Sequence, residues 1–362
     1  MKKWISVCLT AVLGVSCLAG FGGNSRTSVL ERKASQEMLS NQKDSVSEEK
    51  GLKVVATIFP EYDWVKEILG EHVDNTELTL LLGNGVDLHS YQPTVDDILQ
   101  ISTCDLFLYV GGESDSWVDA ALAEGGSEDR KVINLLETLG EAAKEEQLVE
   151  GMEGEEHDHE EGEEGHDHQS EEEHEHEDEE HDHGEEPEYD EHVWLSLRNA
   201  RVFTEAIAQA LGELDPVNAE DYRANAEAYG EKLLDLDQDY QKVVDEAEEK
   251  TVLFGDRFPF RYLVDDYGLS YYAAFLGCSA ETEASFETIT FLSQKMDELD
   301  LRCVFTLENS DQRIASTIVE NTKKKDQKLL VMDSMQSETA EDEETYLSIM
   351  EKNLEALKEA LE

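Results

Sequence analysis

Cysteine and basic residues are scarce in this chain, and both shortages narrow the classes of protein and of binding site that it can represent. Its 362 residues include 5 cysteines, and 29 lysines and arginines stand against 86 aspartates and glutamates, a formal net charge of −57. So acidic a surface argues against nucleic acid as a partner and favours cations, although it can also be a merely solvated face. Beyond the N-terminal segment only Cys104, Cys278 and Cys303 remain, too few and too scattered for a disulfide framework or a zinc–thiolate site. Cys278 and Cys303 could pair in an oxidising compartment, although buried free thiols are commoner.

The N-terminal apolar run is too short to span a membrane. It extends from Trp4 to Leu18 after two lysines, and small residues follow it, which is typical of a secretory signal. Cys17 lies in a stretch similar to a bacterial lipoprotein processing site, so we predict a signal peptide at residues 1–23 with lipidation at Cys17. Cleavage without lipidation is the alternative. Residues 24–51 then form a flexible tether, and the protein is exported and lipid-anchored to the outer face of the cytoplasmic membrane, or periplasmic.

The segment from residue 150 to residue 191 is the most distinctive in composition. It holds eight of the 11 histidines, 24 acidic residues and no lysine or arginine. The histidines form four pairs around single acidic residues: His157/His159, His166/His168, His174/His176 and His181/His183. Imidazole binds zinc, copper, nickel and iron, so the segment is predicted to capture metal. With almost no apolar residues it should be disordered without metal, and a solvating acidic linker is the alternative interpretation.

Short apolar runs alternate with amphipathic segments from Leu52 onward. Strands are predicted in two series, at residues 53–59, 77–82, 105–110 and 131–134, and at residues 251–254, 271–275, 303–307 and 328–332. This alternation predicts an α/β fold of two lobes, each with a parallel sheet flanked by helices. We place the N-terminal lobe, which contains the His-rich loop, at residues 52–214 and the C-terminal lobe at residues 250–362.

One long helix is predicted to join the two lobes at residues 215–249. Asp215 and Pro216 form a helix-start signal, with Asp as the N-cap and Pro as the first helical residue. The apolar stripe that follows has the spacing 4-3-4-3-4-3-4: Tyr222, Ala226, Tyr229, Leu233, Leu236, Tyr240, Val243 and Ala247. A coiled-coil dimer is the alternative, but a single such segment between two α/β series favours a helix along the backs of both lobes.

Two histidines lie outside the acidic segment in positions that suit a binding site. His89 follows the strand predicted at residues 77–82, on a loop at the carboxyl end of a parallel strand, where ligands bind in open α/β sheets. His192 comes directly after the acidic segment, before an amphipathic helix. A lone ordered histidine is more often structural than a metal ligand, so position alone does not decide the role of either.

Five motifs of the chain are specific in combination: Gly-Val-Asp-Leu-His89-Ser-Tyr-Gln-Pro, Val110-Gly-Gly-Glu-Ser-Asp-Ser-Trp117, the His-rich loop before Asp190-Glu-His192-Val-Trp194, Tyr262…Tyr267-Gly-Leu269, and Val331-Met-Asp333-Ser-Met. Together they resemble the cluster A-I solute-binding proteins, the zinc- or manganese-binding lipoproteins of ABC importers. The resemblance covers nearly everything after Leu52. It implies two lobes bridged by one long helix, with four side chains closing on one metal in the cleft.

Carried over by position, the resemblance implies three metal ligands in this chain. They are His89 and His192 from the N-terminal lobe and Asp333 from the C-terminal lobe. The remaining ligand position falls on Arg257, whose protonated guanidinium has no lone pair to offer. We expect Arg257 to form an ion pair with a carboxylate such as Asp256 or Glu283. Water, a neighbouring carboxylate or a histidine of the acidic segment would then fill the fourth position.

The predicted function is extracytoplasmic, high-affinity capture of a divalent metal for an ABC permease and its ATPase. Two imidazoles and the His-rich loop favour Zn²⁺, whereas Mn²⁺ would require more oxygen ligands. The protein is expected to be a monomer. It is not expected to be an enzyme, because no separate general base or substrate-pocket motif accompanies the ligands. The alternatives are a surface zinc buffer or metallochaperone not coupled to import, and a manganese-binding homologue.

Overall fold

The computed structural model of the protein describes residues 51–83, 86–126, 129–153, 188–279, 283–341 and 343–362. The predicted signal peptide, the lipidation site at Cys17 and the four histidine pairs lie outside the described residues. Within the described ranges, no helix is both long and apolar enough to cross a membrane.

The first sheet has four parallel strands in the order β2-β1-β3-β4. Its strands are β1 (Lys53–Ala56), β2 (Glu77–Leu80), β3 (Leu106–Tyr109) and β4 (Lys131–Asn134). The helices of this half are α1 (Phe59–Leu69), α2 (Val95–Thr103), α3 (Val118–Ala123), α4 (Leu135–Leu139) and α5 (Leu197–Leu214), with 3-10 turns at Gly70–Asn75, Leu88–Ser90, Gly140–Ala142 and Val193–Leu195. The sheet belongs in the interior because its central strands are mainly apolar: β3 is Leu-Phe-Leu-Tyr, and β1 is Val-Val-Ala after its first residue, Lys53.

The second sheet repeats this architecture in the order β6-β5-β7-β8, again all parallel. Its strands are β5 (Thr251–Phe258), β6 (Ser270–Leu276), β7 (Cys303–Leu307) and β8 (Lys328–Met332). Its helices are α7 (Arg261–Tyr267), α8 (Phe286–Leu299), α9 (Arg313–Asn321) and α10 (Tyr346–Leu361). The pairing of β5 with β6 shifts register between Phe254 and Arg257, at the end of β5 that carries Arg257. The predicted class, two α/β lobes each built on a parallel sheet, is confirmed.

The long helix α6 extends from Ala219 to Glu246 and packs against helices of both halves, α1 and α5 on one side and α7 and α10 on the other. It buries the predicted stripe from Tyr222 to Tyr240, but the next buried residue is Val244 instead of Val243. The predicted last member, Ala247, follows the helix, which ends at Glu246 and not at residue 249. Tyr240 anchors it by donating its hydroxyl to the carbonyl of Met350 at 2.6 Å. The stripe that a coiled coil would use is thus buried by the chain's own helices.

The predicted start of α6 at Asp215 is wrong, because the helix begins at Ala219 after Asn218. Instead of capping a helix that starts at Pro216, the Asp215 carboxylate accepts hydrogen bonds from the Tyr222 hydroxyl at 2.8 Å and from the Asn218 side chain at 2.7 Å. These bonds hold a turn between α5 and α6.

Both ends of the acidic segment are ordered parts of the fold. The Glu153 backbone N–H donates to the carbonyl of Ala274 at 2.9 Å, next to strand β6, and Glu145 pairs with Tyr189 in an antiparallel bridge. Asp190 and Glu191 are buried. The prediction of disorder over residues 150–191 is therefore wrong for both ends, and residues 154–187 lie outside the described part of the chain.

Candidate metal centre

His89 lies in the 3-10 turn that follows the first sheet's edge strand, with its side chain largely buried. The carboxylate of Asp87 caps this turn by accepting the His89 backbone N–H at 3.0 Å. On the ring, Nδ1 is 2.8 Å from the Ser114 hydroxyl and 3.4 Å from a carboxylate oxygen of Glu191. The Nδ1 edge is therefore held by protein groups, and the Nε2 edge faces the cleft.

His192 is fully buried and is oriented by its own neighbour, Asp190. One oxygen of Asp190 accepts both the His192 backbone N–H at 2.9 Å and the ring Nδ1 at 3.0 Å. The ring lies 5.2 Å from that of Trp194. On another side it meets Gly277, where an added Cβ would lie 2.8 Å from His192 Cε1. The second sheet thus approaches the ring closely through a residue without a side chain.

The two imidazoles present their Nε2 atoms to each other at 3.2 Å, across 103 residues of sequence. Because each Nδ1 lies beside an acceptor oxygen, we assign the ring proton to Nδ1, which leaves a lone pair on each Nε2. With the protons so assigned, neither Nε2 can donate to the other, and the two lone pairs repel each other unless a cation lies between them. Two nitrogens bonded to one tetrahedral zinc ion would be about 3.3 Å apart, so the observed spacing fits a shared ion.

Glu191 connects the two histidine segments. One of its oxygens accepts the Ser114 backbone N–H at 2.9 Å, and the other lies beside His89. Burial would raise the pKa of Glu191, but its hydrogen bonds to His89 and Ser114 outweigh burial and lower it. Gly112 makes room for this carboxylate, since a Cβ there would lie 2.3 Å from Glu191 Oε1 and its φ is +82°. The Gly-Gly motif of the sequence therefore positions a buried carboxylate behind His89.

Cys278 is the third metal-ligating side chain at this point. Its sulfur and one nitrogen of each of His89 and His192 lie within 4.8 Å of one another, the one group of three or more such ligands found among the described residues. Burial, followed by the nearby charges of Glu146 and other carboxylates, raises the pKa of its thiol well above the usual range. Cys278 and Cys303 do not pair, because both cysteines are free.

Asp333 follows β8, as predicted, but it is not part of this cluster. Its backbone N–H donates to Asn353 at 2.8 Å, and its carboxylate accepts the Met335 backbone N–H at 2.7 Å. Burial raises its pKa. The nearby Glu308 has its pKa raised to about 7, first by burial and then by Asp333. The role of Asp333 as a ligand stays a prediction.

Arg257 forms the expected ion pair, but with a partner that the sequence did not indicate. Its guanidinium contacts Asp87 at 2.8 Å, whereas Asp256 instead accepts backbone N–H groups of Arg257 and Leu307. Burial would raise the pKa of Asp87, but the Arg257 charge and other contacts outweigh it and lower that pKa. The predicted partners Asp256 and Glu283 are therefore replaced by Asp87, two residues before His89. The ion pair spans from the second sheet to the turn that carries the first histidine.

Two parallel-sheet lobes bridged by a long helix, with facing imidazoles where the lobes meet, define a two-lobed solute-binding protein with a metal centre. The chain belongs to the ZnuA family, described as zinc-uptake complex component A, periplasmic, whose profile matches residues 54–360.

Named relatives and a solved structure agree with this family. The chain is 31% identical over 320 residues to the zinc-binding lipoprotein AdcA of Streptococcus pneumoniae strain R6, covering 88% of this chain and 57% of that protein. It is 31% identical over 310 residues to the high-affinity zinc uptake system protein ZnuA of Bacillus subtilis strain 168, covering 86% of this chain and 88% of that one. The Zn(II)-bound ZnuA-like domain of S. pneumoniae AdcA superimposes with a TM-score of 0.62 at 27% identity, covering 86% of this chain and 99% of that domain. The chain thus spans little more than half the length of the AdcA relatives.

Proposed function

We propose that this protein captures Zn²⁺ outside the cytoplasm, in the cleft between its two lobes, and delivers it to an ABC permease with its ATPase. The observation that carries this proposal is the pair of Nε2 atoms at 3.2 Å, each imidazole being held from behind by a carboxylate. The hydrogen bonds of Nδ1 to Ser114 in His89 and to Asp190 in His192 fix the two rings, with the Glu191 carboxylate close to the first. Nitrogen ligands favour zinc over manganese, and the AdcA and ZnuA relatives are named for zinc.

The remaining features fit a carrier held at the membrane. A lipid on Cys17 and a tether at residues 24–51 would keep the protein near its permease, since lipid anchoring confines a protein to the surface where the permease opens. We infer a monomer whose N-terminal lobe ends near residue 214 and whose C-terminal lobe begins near residue 250. Its role is to bind and release an ion, not to catalyse a reaction.

A zinc buffer not coupled to import is the second candidate, and the eight histidines of the acidic segment favour it. Deletion of residues 154–187 distinguishes zinc import from zinc storage. This deletion spares Asp190 and Glu191, which hold the two imidazoles. Import requires only the cleft site and should survive the deletion, whereas storage capacity should collapse.

The experiment counts zinc in the purified protein and measures zinc-dependent growth of cells that depend on it. The deletion variant should retain one tightly bound equivalent and support growth. His89→Ala and His192→Ala in the same background should lose both. A deletion variant without tightly bound zinc would show that the acidic segment is itself the site and would overturn the proposal.

A further inference from the structure

The two histidines leave a zinc ion short of ligands, and the residue that the family resemblance places beside them cannot supply one. Arg257 carries a protonated guanidinium, and this group is turned to Asp87. Asp333 is not among the side chains gathered at the histidines. Among the described residues, the one further metal-ligating side chain beside the two histidines belongs to the second lobe.

We propose, resting on the zinc capture proposed above, that Cys278 is the third ligand, which makes the centre a two-histidine, one-thiolate site. Its sulfur is already within 4.8 Å of a nitrogen of both imidazoles. Bonds of about 2.3 Å to sulfur and about 2.05 Å to nitrogen in a tetrahedron place sulfur and nitrogen about 3.6 Å apart. The sulfur therefore has to approach each nitrogen by at most about 1.2 Å, within reach of a change in its side-chain rotamer or a small closure of the lobes.

The chain around Cys278 brings the thiol to this point. Strand β6 ends at Leu276, and Gly277 then passes so close to His192 that a Cβ would clash both with the ring at 2.8 Å and with the Phe258 carbonyl at 2.9 Å. The absence of a side chain at residue 277 lets the next residue lie against the imidazole. The other described thiols, Cys104 and Cys303, are buried and lie outside the cluster.

Metal binding then exchanges one bond for another at sulfur. The S–H bond of Cys278 breaks, a sulfur–zinc bond forms with the sulfur lone pair, and the proton leaves to solvent. The ion keeps two neutral imidazoles and one thiolate, with a fourth position open. A soft thiolate selects zinc and disfavours manganese, which prefers oxygen ligands. The cysteine would thus set the metal specificity of the cleft.

Cobalt substitution of the full-length protein tests the assignment, because thiolate-bound Co²⁺ has an intense near-ultraviolet charge-transfer band that imidazole- and carboxylate-bound Co²⁺ lacks. One equivalent of Co²⁺ is added to the wild type, to Cys278→Ser and to the matched control Cys303→Ser. Zinc affinity is measured on the same three proteins by chelator competition, and their thermal unfolding shows that each is folded. The wild type and Cys303→Ser should show the band. Cys278→Ser should lose it, and its zinc affinity should fall by at least the roughly 10- to 100-fold that is typical of losing a partner behind a ligand.

The possible failures are distinguishable. If Cys278→Ser keeps the band and the wild-type affinity, or if the wild type binds zinc tightly without the band, the cysteine assignment is overturned while zinc capture stands. If the wild type binds no zinc tightly, both proposals are overturned. If His89→Ala loses tight zinc binding and Cys278→Ser keeps it, the histidines are ligands and the cysteine assignment is again overturned.

Discussion

The carboxylate of Asp190 offers a sharp test of how the cleft is built, because it acts on the metal only through His192. One of its oxygens accepts both the backbone N–H and the ring Nδ1 of that residue. Asp190→Asn keeps the shape and one acceptor oxygen but removes the negative charge. Asp190→Ala removes the acceptor altogether and frees the buried ring to turn.

The expected magnitudes follow from these bonds. Losing an outer hydrogen bond to a metal-ligating histidine typically weakens metal affinity about 10- to 100-fold, or about 1.4 to 2.7 kcal/mol. Asp190→Asn should lie near the lower limit, since a neutral amide oxygen still accepts the Nδ1 proton. Asp190→Ala should lie near the upper limit, since it also leaves a buried donor unsatisfied.

The assay is competition for zinc between the protein and a chromophoric chelator at neutral pH, in a background lacking residues 154–187. Asp63→Asn is the matched control, because Asp63 is also buried but accepts the backbone N–H of Tyr346 at 2.9 Å, outside the ligand cluster. It should alter the unfolding temperature without altering zinc affinity. Wild-type affinity in both Asp190 variants would refute the idea that this carboxylate orients a metal ligand.

Three further changes address the packing, the charge and the pH response of the molecule. Gly277→Ala should weaken zinc binding about 5- to 150-fold, because overpacking against His192 costs about 1–3 kcal/mol. Gly230→Ala, whose Cβ would meet only Arg201 Nε at 3.9 Å, should leave affinity unchanged. Arg257→His should bind zinc about tenfold more tightly, because the removed cation and the added imidazole outweigh the loss of the ion pair with Asp87. Unchanged affinity would mean that this position does not face the metal. Burial, reinforced by Asp115, raises the pKa of Glu61 from 4.5 to about 8. Glu61 ionises near pH 4.5 in the unfolded chain but only near pH 8 in the folded protein. The free energy of unfolding therefore falls as pH rises from about 4.5 to about 8, by up to about 1.4 kcal/mol per pH unit. Urea unfolding of Glu61→Gln from pH 5 to pH 8 should show a correspondingly smaller loss of stability, and an unchanged pH profile would contradict the raised pKa.

The fold was predictable from the sequence because its signals are local. Continuous apolar runs such as that of β3 identify buried parallel strands, and the stripe of α6 identifies a helix buried along one face. The start of α6 was missed for a physical reason: Asp215 has the residue type of an N-cap, but its carboxylate is engaged by the Tyr222 hydroxyl instead. That competition depends on a residue seven positions away and is not encoded in the helix-start signal.

The site was predictable only in part, because its members are distant in sequence. Family resemblance rather than spacing associated His89 with His192. The small number of cysteines argues against a disulfide framework and against a site made of several thiolates. It does not argue against Cys278, because a single thiol next to two imidazoles needs no second cysteine. Its position just beyond β6 was the available signal, because ligands collect where parallel strands end.

On the proposed cysteine ligation, the second lobe would contact the metal from the end of β6 and not from the end of β5. Arg257 lies opposite Phe275 in the register of β5 with β6, and Cys278 comes three residues after that partner, past the end of its strand. Neighbouring strands are only about 4.8 Å apart, so a ligand at either strand end could reach nearly the same point. Arg257 instead contacts Asp87, whose carboxylate caps the turn of His89. The second lobe would then hold the first both through the metal and through this ion pair, so opening of the cleft and release of zinc would be coupled.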